Sequence, residues 1–138
     1  MDIEYQVNPS ITARQFLDVL NESSLGERRP VDDFDCIQGM IEHSNLVVSA
    51  WDQDRLVGIA RSVTDFHYAC YLSDLAVVRS HQRLGIGKQL QRITQNQLGP
   101  KCSLILLAAP AASDYYNQIG FSHNPRCWVL ERDARINE

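Results

Sequence analysis

Ile3-Glu4-Tyr5-Gln6-Val7 alternates apolar and polar side chains, the period of a half-buried strand. Asn8-Pro9-Ser10 breaks that pattern, and Thr12 stands where a helix cap belongs. Phe16, Leu17 and Leu20 give the helix an apolar stripe that Gly26 closes, and a second helix is predicted over 32–43, with Phe34, Ile37, Met40 and Ile41 on one side. From Asn45 the period shortens. Leu46 to Trp51 is β-rich, Asp52-Gln53-Asp54 is a turn, and Leu56-Val57-Gly58-Ile59-Ala60 is the returning arm of a hairpin. Tyr68 to Val78 reads as a long strand, and a helix opens near Gly85 with Ile86, Leu90 and Ile93 at helical spacing before Gly99-Pro100 ends it. Leu104-Ile105-Leu106-Leu107 is an unbroken apolar run, the pattern of a buried strand in a parallel pair. A short helix from Ala111 to Ile119 stops at Gly120, and Phe121 and Cys127-Trp128-Val129-Leu130 are expected to close the sheet.

The predicted order is β-α-α-β-β-β-α-β-α-β, an α/β (α+β) fold around a mixed sheet. The crossover across residues 70–108 is expected to be parallel and right-handed. No repeat, low-complexity tract or linker interrupts the pattern, so residues 1–138 read as a single domain. With 44% hydrophobic and 22% charged residues, the composition is that of a folded globular chain and excludes disorder.

The net charge of −4, together with the lack of interleaved basic and aromatic residues, argues against nucleic acid as a partner. Cys36, Cys70, Cys102 and Cys127 lie far apart with no His at ligand spacing, so no metal site is expected and a reducing, cytoplasmic setting is. The acidic, mixed start is unlike a signal peptide, and the longest apolar run, Leu104 to Ala112, is broken by Pro110 and too short for a membrane span.

Against this acidic background one segment is locally basic. Arg79, His81, Arg83 and Lys88 surround Gln82-Arg83-Leu84-Gly85-Ile86-Gly87-Lys88, where a strand hands over to a helix. Glycines there let the backbone approach an anion, and the helix N-terminus adds partial positive charge. A Walker A loop would need glycine and Ser or Thr where Gln82 and Gln89 stand, and a dinucleotide fingerprint would need a third glycine where Leu90 stands. Both readings fail.

The remaining Gln-x-x-Gly-x-Gly at 82–87 resembles the pyrophosphate-binding motif of the GNAT superfamily of acetyl-CoA-dependent N-acetyltransferases. Leu72-Ser73-Asp74-Leu75-Ala76-Val77 is similar to that family's fourth strand, and Tyr116-Asn117-Gln118-Ile119-Gly120-Phe121 to its Tyr-x-x-x-Gly-Phe segment. The resemblance runs from about Leu46 to Leu130. It implies a mixed, mostly antiparallel sheet of six to seven strands flanked by about four helices, splayed between the fourth and fifth strands.

It further implies that amides of Gln82, Arg83, Leu84, Gly85, Ile86, Gly87 and Lys88 cradle the diphosphate of acetyl-CoA, used as co-substrate without a metal. The pantetheine arm would pair with backbone groups of Leu75, Ala76 and Val77, and an N–H near Leu75 would stabilise the oxyanion. Tyr116 matches the position whose phenol protonates the departing sulfur, with Tyr115 the fallback if the helix register shifts by one. Asp74 is the candidate base, as proton acceptor or as hydrogen-bonded structure, with Asp65, His67 and His123 behind it; a water chain can serve instead.

The implied partner is a small-molecule amine. A protein amine, and a non-catalytic acyl-CoA-binding module, stand as alternatives. Dimers are frequent in the family, which leaves a homodimer open. An asparagine common in relatives after the fifth strand is absent from Ala108-Ala109-Pro110-Ala111-Ala112-Ser113. Acceptor choice in the family falls mainly to the first two helices, their loop (here Ser24 to Asp32) and the C-terminal strands. Glu27, Asp32, Asp33 and Asp35 could draw in a cation, and Phe34, Phe66, Tyr68, Tyr71 and Trp128 are candidate pocket aromatics.

Overall fold

The computed structural model describes residues 2–137. They divide into two units, Met1–Leu107 and Ala108–Glu138.

In the first unit, Thr12 caps helix α1 (Ala13–Glu22) through a reciprocal box. Its hydroxyl accepts the Gln15 N–H at 3.1 Å, and the Gln15 side chain accepts the Thr12 N–H at 3.0 Å. The helix ends earlier than its apolar pattern suggests. Ser23 bonds back to the Leu20 carbonyl and accepts the Leu25 N–H, which turns the chain into a 3₁₀ segment over Ser24–Arg28. A Cβ on Gly26 would stand 2.5 Å from the Leu20 carbonyl oxygen, so glycine permits this close return. Asp33 caps α2 (Phe34–Glu42) by accepting the Cys36 N–H.

The sheet has five strands in the order β1 (Ile3–Val7), β2 (Leu46–Asp52), β3 (Arg55–Thr64), β4 (Ala69–Val77) and β5 (Ser103–Ile105). Neighbours are antiparallel except β4 and β5, which run parallel on either side of α3 (Ile86–Asn96). Side chains alternate along β3, so Gly58 and Arg61 point to opposite faces. Over Gly58 lie Ile86 and Leu90 of α3, each within 3.2 Å of where a Cβ would be. Over the other face lies α1, whose Phe16 ring sits 5.7 Å from the Arg61 guanidinium. Phe16, Leu20, Ile37, Val48, Val57, Ile59, Val78 and Leu90 are fully buried between these layers.

Two expectations need correction. Leu104 to Leu107 is neither so long nor so buried a strand as predicted: pairing covers only Ser103–Ile105, and Ile105 and Leu107 are about half exposed. β5 is the edge of the sheet, so among the described residues its outer edge pairs with no further strand. The sheet of six to seven strands is also not seen, because Phe121 and Cys127–Leu130 are not strands.

In the second unit, α4 (Ser113–Gln118) follows a 3₁₀ turn over Pro110–Ala112. Its remaining backbone bonds are local. Asn124 accepts the Arg126 N–H with its side chain and the Cys127 N–H with its carbonyl, so an Asn-Pro turn wins over the β-rich composition that follows. Trp128 is 92% exposed, and with no neighbouring ladder its β propensity has nothing to pack against.

Candidate active site

At the end of β4 the Val78 N–H donates to Val57 O at 2.9 Å, which keeps the chain on the sheet for one residue more. A 3₁₀ turn over Arg79–His81 follows. Arg83 and Gly85 are then both left-handed, with φ of 65° and 82°, and α3 starts at Ile86. Glycine takes that conformation freely, whereas at Arg83 it costs roughly 1–2 kcal/mol. A Cβ on Gly85 would meet nothing within 4 Å, so backbone angle and not crowding selects glycine there.

The consequence is a row of outward amides. Among the described residues, the N–H groups of Arg83, Leu84, Gly85, Ile86, Gly87 and Lys88 have no hydrogen-bond acceptor; the helix ladder begins only at Gln89 N–H to Gly85 O. Left-handed turns beside a helix start form the concave nests that hold anions. Arg79, Arg83 and Lys88 are exposed around this nest and form no ion pair among the described residues. His81 does not join them. It is buried, bonded to Asp52 and Ser80.

β4 supplies an open edge beside the nest. Its ladder with β5 stops at Tyr71 and Ile105, while β4 itself continues to Val77. A bulge at Ser73 resets the alternation, since Arg61 faces Asp74 but Ser62 faces Leu72. The Val78 N–H points to β3, so Ala76 and Asp74, two and four residues earlier, direct their backbone groups to β3 as well. Ser73, Leu75 and Val77 face the other way. Two of those carbonyls are capped by side chains: Ser73 O accepts from Arg29 Nη2 at 2.8 Å and Val77 O from Gln82 Nε2 at 2.9 Å. Leu75 lies between the two caps on the edge that β5 has left, whereas Ala76 faces into the sheet.

Asp74 is fully buried, and both of its oxygens are engaged. Oδ1 accepts from Arg29 Nε at 2.5 Å, and Oδ2 accepts from Arg61 Nε. Arg61 spends its other nitrogens on Met40 O, Ser44 Oγ and Ser73 Oγ, and Arg29 also reaches Arg28 O. One carboxylate thus ties the 3₁₀ segment after α1, the end of α2, β3 and the β4 bulge into one cluster. Sequence reasoning missed both arginines. The available signal was a single opposite charge in the middle of each of two neighbouring apolar runs.

In the second unit, the Tyr-x-x-x-Gly-Phe segment is a helix-stopping device. The Phe121 N–H donates to Tyr116 O at 3.0 Å and the Gly120 N–H to Asn117 O at 3.4 Å, with Gly120 left-handed at φ 110°. This is a Schellman turn, and its apolar contact is the edge-to-face pair of Tyr116 and Phe121, 5.4 Å between centroids. Burial raises the pKa of the Tyr116 phenol above the usual value, and nearby Tyr115 adds to the effect, so the hydroxyl stays protonated at neutral pH.

A family model described as an acetyltransferase (GNAT) domain matches residues 19–126. The chain belongs to the GNAT acetyltransferase family. An uncharacterized N-acetyltransferase, ycf52, of Porphyra purpurea is 29% identical over 91 residues, covering 62% of this chain and 52% of the relative, so the chain spans about half that protein's length. Among solved structures, a GNAT-family acetyltransferase from Streptococcus pneumoniae superposes with a TM-score of 0.74 at 20% identity, covering 96% of this chain and all of that one. An aminoglycoside N-acetyltransferase in complex with CoA gives 0.69 at 15% identity, covering 96% of each. At these identities the structural matches speak for the fold.

The other candidates fall outside the nest. Asp65 accepts the N–H groups of His67, Tyr68 and Ala69 and shapes the β3–β4 turn; those bonds lower its pKa, with Tyr68 and Ala69 leading. His67 and His123 are exposed. Asp32, Asp33, Phe34 and Asp35 line an open concavity with Pro30, and Phe34 is about half exposed there. No group of three or more His, Cys, Asp or Glu suited to a metal occurs among the described residues, and no helix there is long and apolar enough to cross a membrane.

Proposed function

We propose that this GNAT-family chain is an N-acetyltransferase that transfers the acetyl group of acetyl-CoA to a primary amine of a small molecule by direct attack. The observation that carries the reading is the row of acceptor-free amides from Arg83 to Lys88, ringed by unpaired cations in a chain of net charge −4. A diphosphate is the group in CoA that fits it, and the aminoglycoside N-acetyltransferase of the same fold was solved with CoA. The pantetheine arm follows the outer edge of β4, using Leu75 and the Val77 N–H, since Gln82 already occupies the Val77 carbonyl.

The amine nitrogen attacks the thioester carbonyl, forming the C–N bond. The oxyanion is held by the Leu75 N–H, and collapse breaks the C–S bond. The proton the thiolate needs is assigned to Tyr116 as the tyrosine of the Tyr-x-x-x-Gly-Phe segment, a phenol that burial keeps protonated until the thiolate forms. The proton leaving the ammonium passes to water. In this reading Asp74 braces the strand, because both its oxygens are committed to guanidinium donors.

The test is calorimetric binding of CoA to the full chain, together with thiol release from acetyl-CoA across a panel of amines. Gly85→Glu should abolish binding, since a carboxylate would project from the nest. Unchanged affinity in that variant refutes the site. Tight CoA binding with no thiol release from any amine would leave a binding module instead of an enzyme.

A further inference from the structure

His81 is a buried titratable side chain that the proposed chemistry leaves unused. Its ring lies between two partners, Nε2 2.8 Å from Asp52 Oδ2 and Nδ1 2.8 Å from Ser80 Oγ. A carboxylate only accepts, so Nε2 carries the proton and donates to Asp52. Nδ1, on the other side of the ring, bonds to the Ser80 hydroxyl. Asp52 ends β2 and faces Arg55 across the tight β2–β3 turn, so it is anchored by the ladder at Trp51 and Leu56.

His81 is also the last residue before the free amides with a bond to any strand but β4. Gln82 bonds back to Val77 O and Arg79 O, and the next attachment is the packing of Ile86 and Leu90 over Gly58. Between those points the chain holds the costly left-handed Arg83.

We propose that His81, acting through Asp52, is a positioning residue for the anion nest: it pins the loop to the β2–β3 turn so that the amides of Arg83 to Lys88 converge before ligand arrives. A loop ordered in advance loses less entropy on binding, so the effect falls on affinity and not on the chemical step. The inference rests on the nest being the CoA site.

CoA affinity of the full chain is measured by calorimetry for His81→Leu, His81→Gln, Asp52→Leu and Gly85→Glu, with urea midpoints to verify folding. Glutamine places an N–H near the position of Nε2 and keeps the bond to Asp52; leucine fills the space without a donor. His81→Leu and Asp52→Leu should each weaken CoA about tenfold, equal to about 1.4 kcal/mol. The double variant should be no worse than either single one. His81→Gln should stay within about twofold of the parent. With an accepted amine, KM for acetyl-CoA should rise in the leucine variants while kcat holds.

Parent-like affinity in both leucine variants, with binding lost in Gly85→Glu, overturns the His81 role and leaves the nest standing. Equal weakening by leucine and glutamine also overturns it, because ring packing and not the Asp52 bond would then be responsible. Parent-like binding in Gly85→Glu removes the nest itself.

Discussion

Replacing Asp74 by alanine removes the acceptor of two guanidinium groups at once. Arg61 keeps only 7% of its side chain in solvent and Arg29 22%, so neither charge has free access to water once the carboxylate is gone. Removing one partner of a buried ion pair costs about 3–5 kcal/mol. Arg61 has neutral partners in Met40 O, Ser44 Oγ and Ser73 Oγ, and Arg29 can swing outward, so neither is left bare. Those mitigations are offset because two cations, not one, lose their counter-charge, and the expected loss stays at about 3–5 kcal/mol, a large share of the roughly 5–15 kcal/mol that holds a domain folded. Equilibrium urea unfolding reads it. With a slope of about 2 kcal/mol/M, the midpoint should fall by about 1.5–2.5 M. Trp51 is a suitable reporter, being half-buried in β2 with its indole N–H on Ser49 Oγ, while Trp128 is almost fully exposed. Asp74→Asn should be destabilised as well, because its amide N–H₂ would face a guanidinium. A loss of less than about 1 kcal/mol in Asp74→Ala would refute the brace. Full stability in Asp74→Asn combined with a changed rate–pH profile would return Asp74 to the role of proton acceptor.

Gly26→Ala should cost about 1–3 kcal/mol by overpacking, because its Cβ meets the Leu20 carbonyl at 2.5 Å and the Asn21 Cα at 3.3 Å, both backbone; an unchanged melting temperature would contradict that geometry. Asp65 has a lowered pKa in the folded chain, so its stabilising contribution is complete above the unfolded value of about 3.9 and is lost as pH falls through the lower folded value. The stability gap between the parent and Asp65→Ala should therefore close on acidification, and urea midpoints showing a pH-independent gap would count against the Asp65 cap. Tyr116→Phe keeps the ring against Phe121 and the turn at Gly120, so CoA affinity should hold while maximal turnover drops. Turnover equal to the parent would assign the sulfur's proton to water.

Much of the first unit was legible because its signals are local. The capping box of Thr12 and Gln15, the alternation over Ile3–Val7 and the hairpin around Asp52–Arg55 each lie within a few residues, and each element formed close to where its pattern put it. The loop before α3 was legible in part for a related reason: Gly85 marks one left-handed residue, whereas the equally left-handed Arg83 carries no such mark. The reading failed where a residue's role depends on register. The Arg29–Asp74 and Arg61–Asp74 bonds join residues 45 and 13 positions apart, and they meet only because the Ser73 bulge shifts β4 by one residue. Without that shift the alternation past Ser73 would reverse, Leu75 would turn its backbone toward β3, and Ala76 would stand at the open edge. The distinction between those two residues, on which the proposed oxyanion donor depends, is therefore set by a single serine outside the ladder. Arg29 and Arg61 both grip that serine, one through its carbonyl and the other through its hydroxyl. The buried charge cluster and the edge of β4 are thus one construction, and loosening the cluster should disturb the backbone at Leu75, the proposed donor, before it disturbs the amides of Arg83 to Lys88.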